Sequence, residues 1–161
     1  MLKRTTLCYI ERDGKYLLLH RVKKKNDVNE GKWVGIGGHF LPEESPEECL
    51  VREVREETGL TLTAYRFAGK IRFEAPPWPS EVMYLYHAMT EGGDTLPDCD
   101  EGNLAWVDKG EAAALPMWEG DRVFLSLMEA GGEPFSLLLR YDGDRLVEHR
   151  LGGDELFSDE L

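Results

Sequence analysis

Positive charge is in short supply in this sequence. Across 161 residues, 19 lysines and arginines face 31 aspartates and glutamates, giving a formal net charge of −12 and a pI near 4.8. With no basic stripe to displace counterions, this balance argues against a general affinity for nucleic-acid polymers. Cysteine is scarce as well: Cys8, Cys49 and Cys99 are odd in number and show no metal-ligand spacing, the pattern of reduced thiols in a cytosol. Nor is there a long apolar run, and the N-terminal one is far too short for a signal or membrane segment. No internal repeat or low-complexity linker divides the chain. These absences imply a cytoplasmic protein with no membrane partner. At this length one domain is expected, burying roughly 70% of its unfolded surface. We assign it to residues 1–151, with 152–161 a short, acidic, frayed tail. A small anionic ligand is compatible with this charge only if metal ions or a few local cations cancel the repulsion.

What is present reads as a mixed α+β domain. "TTLCYIERDGKYLLLHRV" reads as two strands joined at Asp13-Gly14, and "PFSLLLRYDGDRLVEHRL" as a second hairpin at Asp142-Gly143. Between them, a short strand is expected around Trp33 to Ile36. Further strands are expected in "TAYRFAGKIRFEA", "EVMYLYHAM" and "NLAWV", and a helix in "DRVFLSLMEA". "KKKNDVNEG" is polar and aperiodic, and is expected to be a loop.

The densest charge lies between Gly37 and Leu60, where seven glutamates accompany two arginines. Ser45 suits a helix N-cap, Pro46 the first helical position, Glu48 the far side of a capping box, and Gly59 the position that ends the helix. Over Pro46 to Thr58, at about 100° per residue, Leu50, Val51, Val54 and Thr58 share one face. Glu53, Glu56 and Glu57 share a wedge beside it, and Arg52 stands at i±4 from Glu48 and Glu56. Like charges one turn apart destabilise a helix. Either solvent and the helix N-terminus screen them, or a cation sits among them. Three or four convergent carboxylates make an oxygen-rich site for a hard divalent ion such as Mg²⁺. The plainer reading is a solvated acidic face.

Gly38, Glu44 after five residues, Arg52-Glu53-Val54 after seven more, then Glu56-Glu57 and Gly59-Leu60 resemble the Nudix box in every fixed position. The resemblance implies a Nudix α/β/α sandwich with a mixed central sheet and a loop-helix-loop active site. It also implies hydrolysis of a diphosphate bond in a nucleotide with Mg²⁺, Mn²⁺ being the alternative. On it, Gly38, Glu53, Glu56 and Glu57 would hold metal, with Glu101 as an added acidic ligand. Arg52 would orient the carboxylates and Glu44 would support them. One departure is Glu43, where many members carry glycine. If that position requires positive φ, Glu43 carries some strain.

More loosely, "GKWVGIGGHF", "DEGNLAWV", "LPMWEGDRVF" and the closing hairpin resemble 8-oxo-dGTP diphosphatases. That similarity implies that Trp118 stacks on a purine and Asp121 reads its edge, with Glu119 close by. Lys23, with Lys24 and Lys25, is a candidate for substrate phosphates, and His39 a candidate for touching substrate. Val34 stands where relatives often place Asn, and Gly120 where they place a second acid. The expectation is a nucleoside triphosphate diphosphatase acting on an oxidised purine such as 8-oxo-dGTP, releasing a monophosphate and pyrophosphate. Its alternatives are a hydrolase of ADP-ribose, a nucleotide sugar or a dinucleoside polyphosphate, and a catalytically silent binding module of the same fold.

Overall fold

Two-residue turns start the fold. In the computed structural model, which describes residues 2–158, β1 (Lys3–Arg12) returns as β2 (Lys15–His20) through Asp13 and Gly14. Both turn residues have positive φ, 51° and 76°, the backbone that matches the twist of a hairpin. The second hairpin joins β8 (Phe135–Asp142) to β9 (Arg145–Leu151). Asp142 pairs with Arg145, so its turn is Gly143-Asp144, one residue later than the sequence implied. The strand expected from Trp33 to Ile36 is two, β3 (Trp33–Val34) and β4 (Ile36–His39), which part at Gly35 and pair with different neighbours.

The middle of the chain adds α1 (Pro46–Thr58), β5 (Ala64–Glu74), β6 (Glu81–Met89), β7 (Asn103–Asp108), the single turn α2 (Lys109–Ala112) and α3 (Glu119–Ala130). The sheet runs β3-β2-β1-β6-β5-β8-β9, with β4 paired to β1 and β7 to β2. It is mixed: β1–β6 and β5–β8 are parallel and the other pairings antiparallel.

Strand residues alternate between faces, and the alternation sorts the core into two layers. Tyr9, Tyr16, Leu18, Ile71 and Leu139 pack with Phe124, Leu125 and Met128 of α3. Cys8, Ile10, Leu17, Leu19 and Ile36 pack with Leu50 and Val54 of α1. One helix therefore covers each face, which makes an α/β/α sandwich. Helix α1 has the predicted bounds and capping box, but its buried face is Cys49, Leu50, Val54 and Thr58. Val51, expected on that face, is 45% exposed. Among the described residues no helix is long and apolar enough to cross a membrane.

The tail departs most from expectation. Residues 154–157 form one turn of 3₁₀-helix, and Leu156 is fully buried. The buried guanidinium of Arg72 donates to the carbonyls of Leu156 and Ser158, and Lys70 Nζ lies 4.2 Å from the centre of the Phe157 ring. The frayed segment proposed for 152–161 is thus docked through residue 158, and residues 159–161 lie outside the described residues. Leu156→Ala should lower the unfolding free energy by about 2–4 kcal/mol in urea denaturation. An unchanged midpoint would mean that the tail does not belong to the folded unit.

Candidate active site

Helix α1 is fixed at its start by Ser45, whose hydroxyl accepts from the Glu48 N–H at 3.1 Å while Glu48 accepts from the Ser45 N–H at 3.0 Å. That bond commits Glu48, so Arg52, one turn on, serves other carboxylates. Its Nε and Nη2 form a bidentate pair with Glu44 at 2.7 and 3.0 Å. Nη1 reaches Glu53 at 2.8 Å and Glu56 at 3.0 Å, and Nη2 also donates to the His39 carbonyl at 3.1 Å. Pairing with Arg52 holds Glu44 down at about 2, so Glu44 is a fixed anion at any physiological pH. The Leu41 N–H donates to the same carboxylate at 2.9 Å, which folds the loop onto the residue that Arg52 ties to the helix. Glu43 in that loop has φ 64°, the left-handed backbone that its place predicted.

Glu53 and Glu57, one turn apart, face the glycine strand β4. The approach is close: a Cβ on Gly38 would lie 2.4 Å from the Glu53 carboxyl carbon, so a side chain there would displace the carboxylate. Burial raises the Glu53 pKa, with Arg52 opposing. Glu57 is raised further, to about 8, by burial and then by the charges of Glu101 and Glu53. Its Oε2 is buried with no hydrogen-bond partner. Glu101, from the loop before β7, is held by Arg21 Nη1 at 2.6 Å, and Arg21 Nε also pairs with Asp27 at 2.8 Å.

Among the described residues no three His, Cys, Asp or Glu side chains are drawn together as a ready cation cage. The reason is visible in the pairing, because Arg52 and Arg21 occupy oxygens of Glu53, Glu56 and Glu101. The donor set nevertheless fits a hard divalent ion. It is all oxygen, it excludes a side chain at Gly38, and it contains one orphaned buried carboxylate oxygen.

A cavity of about 480 Å³ joins this acidic end to an aromatic end. Gly38, Glu53, Glu57 and Glu101 line the first; Phe73, Trp118 and Asp121 line the second. Trp118, just before α3, is only 3% exposed. Its Nε1–H donates to Asn29 Oδ1 at 2.9 Å, and its ring meets Tyr141 and Phe73 edge-on. Lys32 Nζ lies 4.3 Å from the ring centre. Asp121, in the first turn of α3, is 4% exposed and is raised to about 8 by burial, with the charges of Arg122 and Lys32 opposing.

The other candidates divide. His39 lines the cavity at its rim, with Nε2 3.5 Å from Glu81. Glu56 is 59% exposed and outside the cavity lining. Glu119 does not reach the cavity; it is 62% exposed and paired with Arg122 at 2.8 Å. Lys23 also stays outside, donating to the Cys99 carbonyl at 3.0 Å, while its neighbour Lys24 lines the cavity. Gly120 cannot be an acid in this backbone, because a Cβ would sit 2.5 Å from the Tyr141 hydroxyl. Arg21, Asp27, Asn29 and Glu81 also line the cavity, and the sequence did not single them out. Three come from the segment that follows β2, where spacing carries no signal.

The NUDIX domain profile matches residues 1–128. An uncharacterised Nudix hydrolase of Bacillus subtilis is 32% identical over 134 residues, 81% of each chain. The oxidized purine nucleoside triphosphate hydrolase of Danio rerio is 31% identical over 152 residues, 92% of this chain and 94% of that one. Among solved structures, the MutT protein of Bacillus halodurans superposes with a TM-score of 0.78 at 28% identity, covering 93% of this chain and 97% of that one.

The buried Asp121 carboxyl gives a signed test. Between its ordinary pKa of 3.8 and about 8, the unfolded chain is ionised there and the folded chain is not. Stability from this residue therefore falls as pH rises through that window. Asp121→Asn removes the effect, so the variant should become more stable relative to wild type from pH 5 to pH 8, by at most ~1.4 kcal/mol per unit. A difference that is flat with pH would show that the carboxyl is ionised in the fold.

Proposed function

This chain belongs to the NUDIX family and is a Nudix hydrolase of nucleotide diphosphate bonds; we propose that its substrate is a nucleoside triphosphate, with Mg²⁺ as the resident metal and the cytoplasm as its compartment. An oxidised purine such as 8-oxo-dGTP is the favoured base, and the products are the monophosphate and pyrophosphate. The observation that carries the reading is the single cavity with an acidic end, which Arg52 and Arg21 compensate only in part, and an aromatic end. Glu57 Oε2 has no partner at the first, and Trp118 and Asp121 line the second.

The residues that would hold the metal are the Gly38 carbonyl, Glu53, Glu56, Glu57 and Glu101. Bound Mg²⁺ supplies neutralisation of phosphate oxygens and a lower pKa for water, which a protein of net charge −12 otherwise lacks. Arg52 fixes Glu53 and Glu56 while Glu44 fixes Arg52, so the carboxylates keep their geometry without solvent. Arg21 does the same for Glu101. Lys24, on the lining, offers a positive charge to the phosphate chain. Trp118 offers aromatic surface to the base; such contacts contribute about 1–3 kcal/mol with little regard to which base is bound.

Glu57→Gln keeps the shape and removes the ionisable oxygen. With Mg²⁺ it should cut kcat on 8-oxo-dGTP by about a hundredfold or more while leaving the melting temperature near that of wild type. The wild-type panel should include dGTP, dATP, dUTP, ADP-ribose, a nucleotide sugar and a dinucleoside tetraphosphate. Pyrophosphate released from 8-oxo-dGTP above the others supports the reading. Preference for ADP-ribose, a sugar nucleotide or the tetraphosphate would overturn the substrate, and an undiminished Glu57→Gln would overturn the chemistry.

A further inference from the structure

The Asn29 carboxamide is oriented by a partner that cannot accept. An indole N–H only donates, so the 2.9 Å bond from Trp118 Nε1 fixes Oδ1 against the tryptophan and turns Nδ2 the other way. Nδ2 carries two N–H groups and has no hydrogen-bond partner among the described residues. Asn29 is half-buried and lines the same cavity as Trp118 and Asp121. Its backbone is braced in turn, since the Lys32 N–H donates to the Asn29 carbonyl at 2.8 Å. The apolar wall nearby is Val28 and Val34, neither of which has a side-chain donor.

We propose that Asn29 is a specificity-determining residue whose Nδ2 donates to a carbonyl oxygen on the outer edge of the substrate base, so that oxo-bases are selected over their amino counterparts. An amide held with its oxygen against Trp118 cannot rotate to accept from an exocyclic amino group. An amino base would therefore set two donors face to face and leave both unpaired, which is where polar discrimination arises. This rests on the base lying against Trp118, as in the proposed function.

The test compares dITP with dATP and dUTP with dCTP, pairs that differ by an oxo or an amino group at the base edge, using the Mg²⁺-loaded full chain. Wild type should favour the oxo member of the better pair by about tenfold or more in kcat/KM, through KM. Asn29→Asp keeps an acceptor for Trp118 Nε1 and removes the donor. It should flatten or reverse that preference, with the change carried by KM more than by kcat and the melting temperature near wild type. Asn29→Ala, which adds no charge, should flatten it too. An oxo/amino ratio unchanged in both variants overturns the proposal, as does an equal loss on every nucleotide, the mark of a charge or folding effect. If wild type hydrolyses none of the four but turns over another diphosphate substrate, the aromatic end is not a base site and the proposal falls with that reading.

Discussion

One guanidinium is shared by three carboxylates, and the acidic helix depends on it. Arg52 bridges Glu44 in the approaching loop and Glu53 and Glu56 on the helix itself, and also reaches the carbonyl of His39 at the end of the glycine strand. Loop, helix and strand are thereby held by one side chain, whose planar fork matches carboxylates in a way an ammonium does not. The crowding of like charge is thus answered partly within the chain. It is not answered for Glu57, which lies beyond Arg52, is closed in by the glycine strand and keeps one oxygen unpaired. The carboxyl left over after Arg52 has acted is the one that a divalent cation would meet, taking the place of its proton.

The remainder of the fold serves to bring a second kind of surface to that charge. The sheet carries α1 on one face and α3 on the other, and the cavity runs between residues contributed by both helices. Trp118 and Asp121 stand at the start of α3, braced by Tyr141 of the penultimate strand. A ligand spanning the cavity meets carboxylates at one end and a buried aromatic wall at the other, which matches the division of a nucleotide into phosphate and base.

Features set by local chemistry were legible in the sequence. The bounds of α1 follow from Ser45, Pro46, Glu48 and Gly59, each acting within one turn, and the first hairpin follows from Asp13-Gly14. Arg52 pairs with Glu44, Glu53 and Glu56, whereas helical spacing alone pointed to Glu48 and Glu56. Features set by distant contacts were not legible. The tail docks because Arg72, more than eighty residues earlier, donates to its carbonyls. Lys24 rather than Lys23 lines the cavity because Lys23 is drawn to Cys99, and Glu119 turns outward to Arg122. Asn29 was invisible for the same reason: its role comes from Trp118, 89 residues away, inside a loop with no periodicity.

The most direct measurement is the unfolding free energy of the nucleotide-free protein as Mn²⁺ or Mg²⁺ is titrated in. If the acidic end is a cation site, stability rises with the logarithm of metal concentration once the dissociation constant is passed, by about 2.7 kcal/mol at a hundredfold excess over it. K⁺ at equal ionic strength should not reproduce the rise. A stability that does not respond to divalent metal, or that responds equally to monovalent salt, would contradict the account: the glutamates of α1 would then be a solvated face after all.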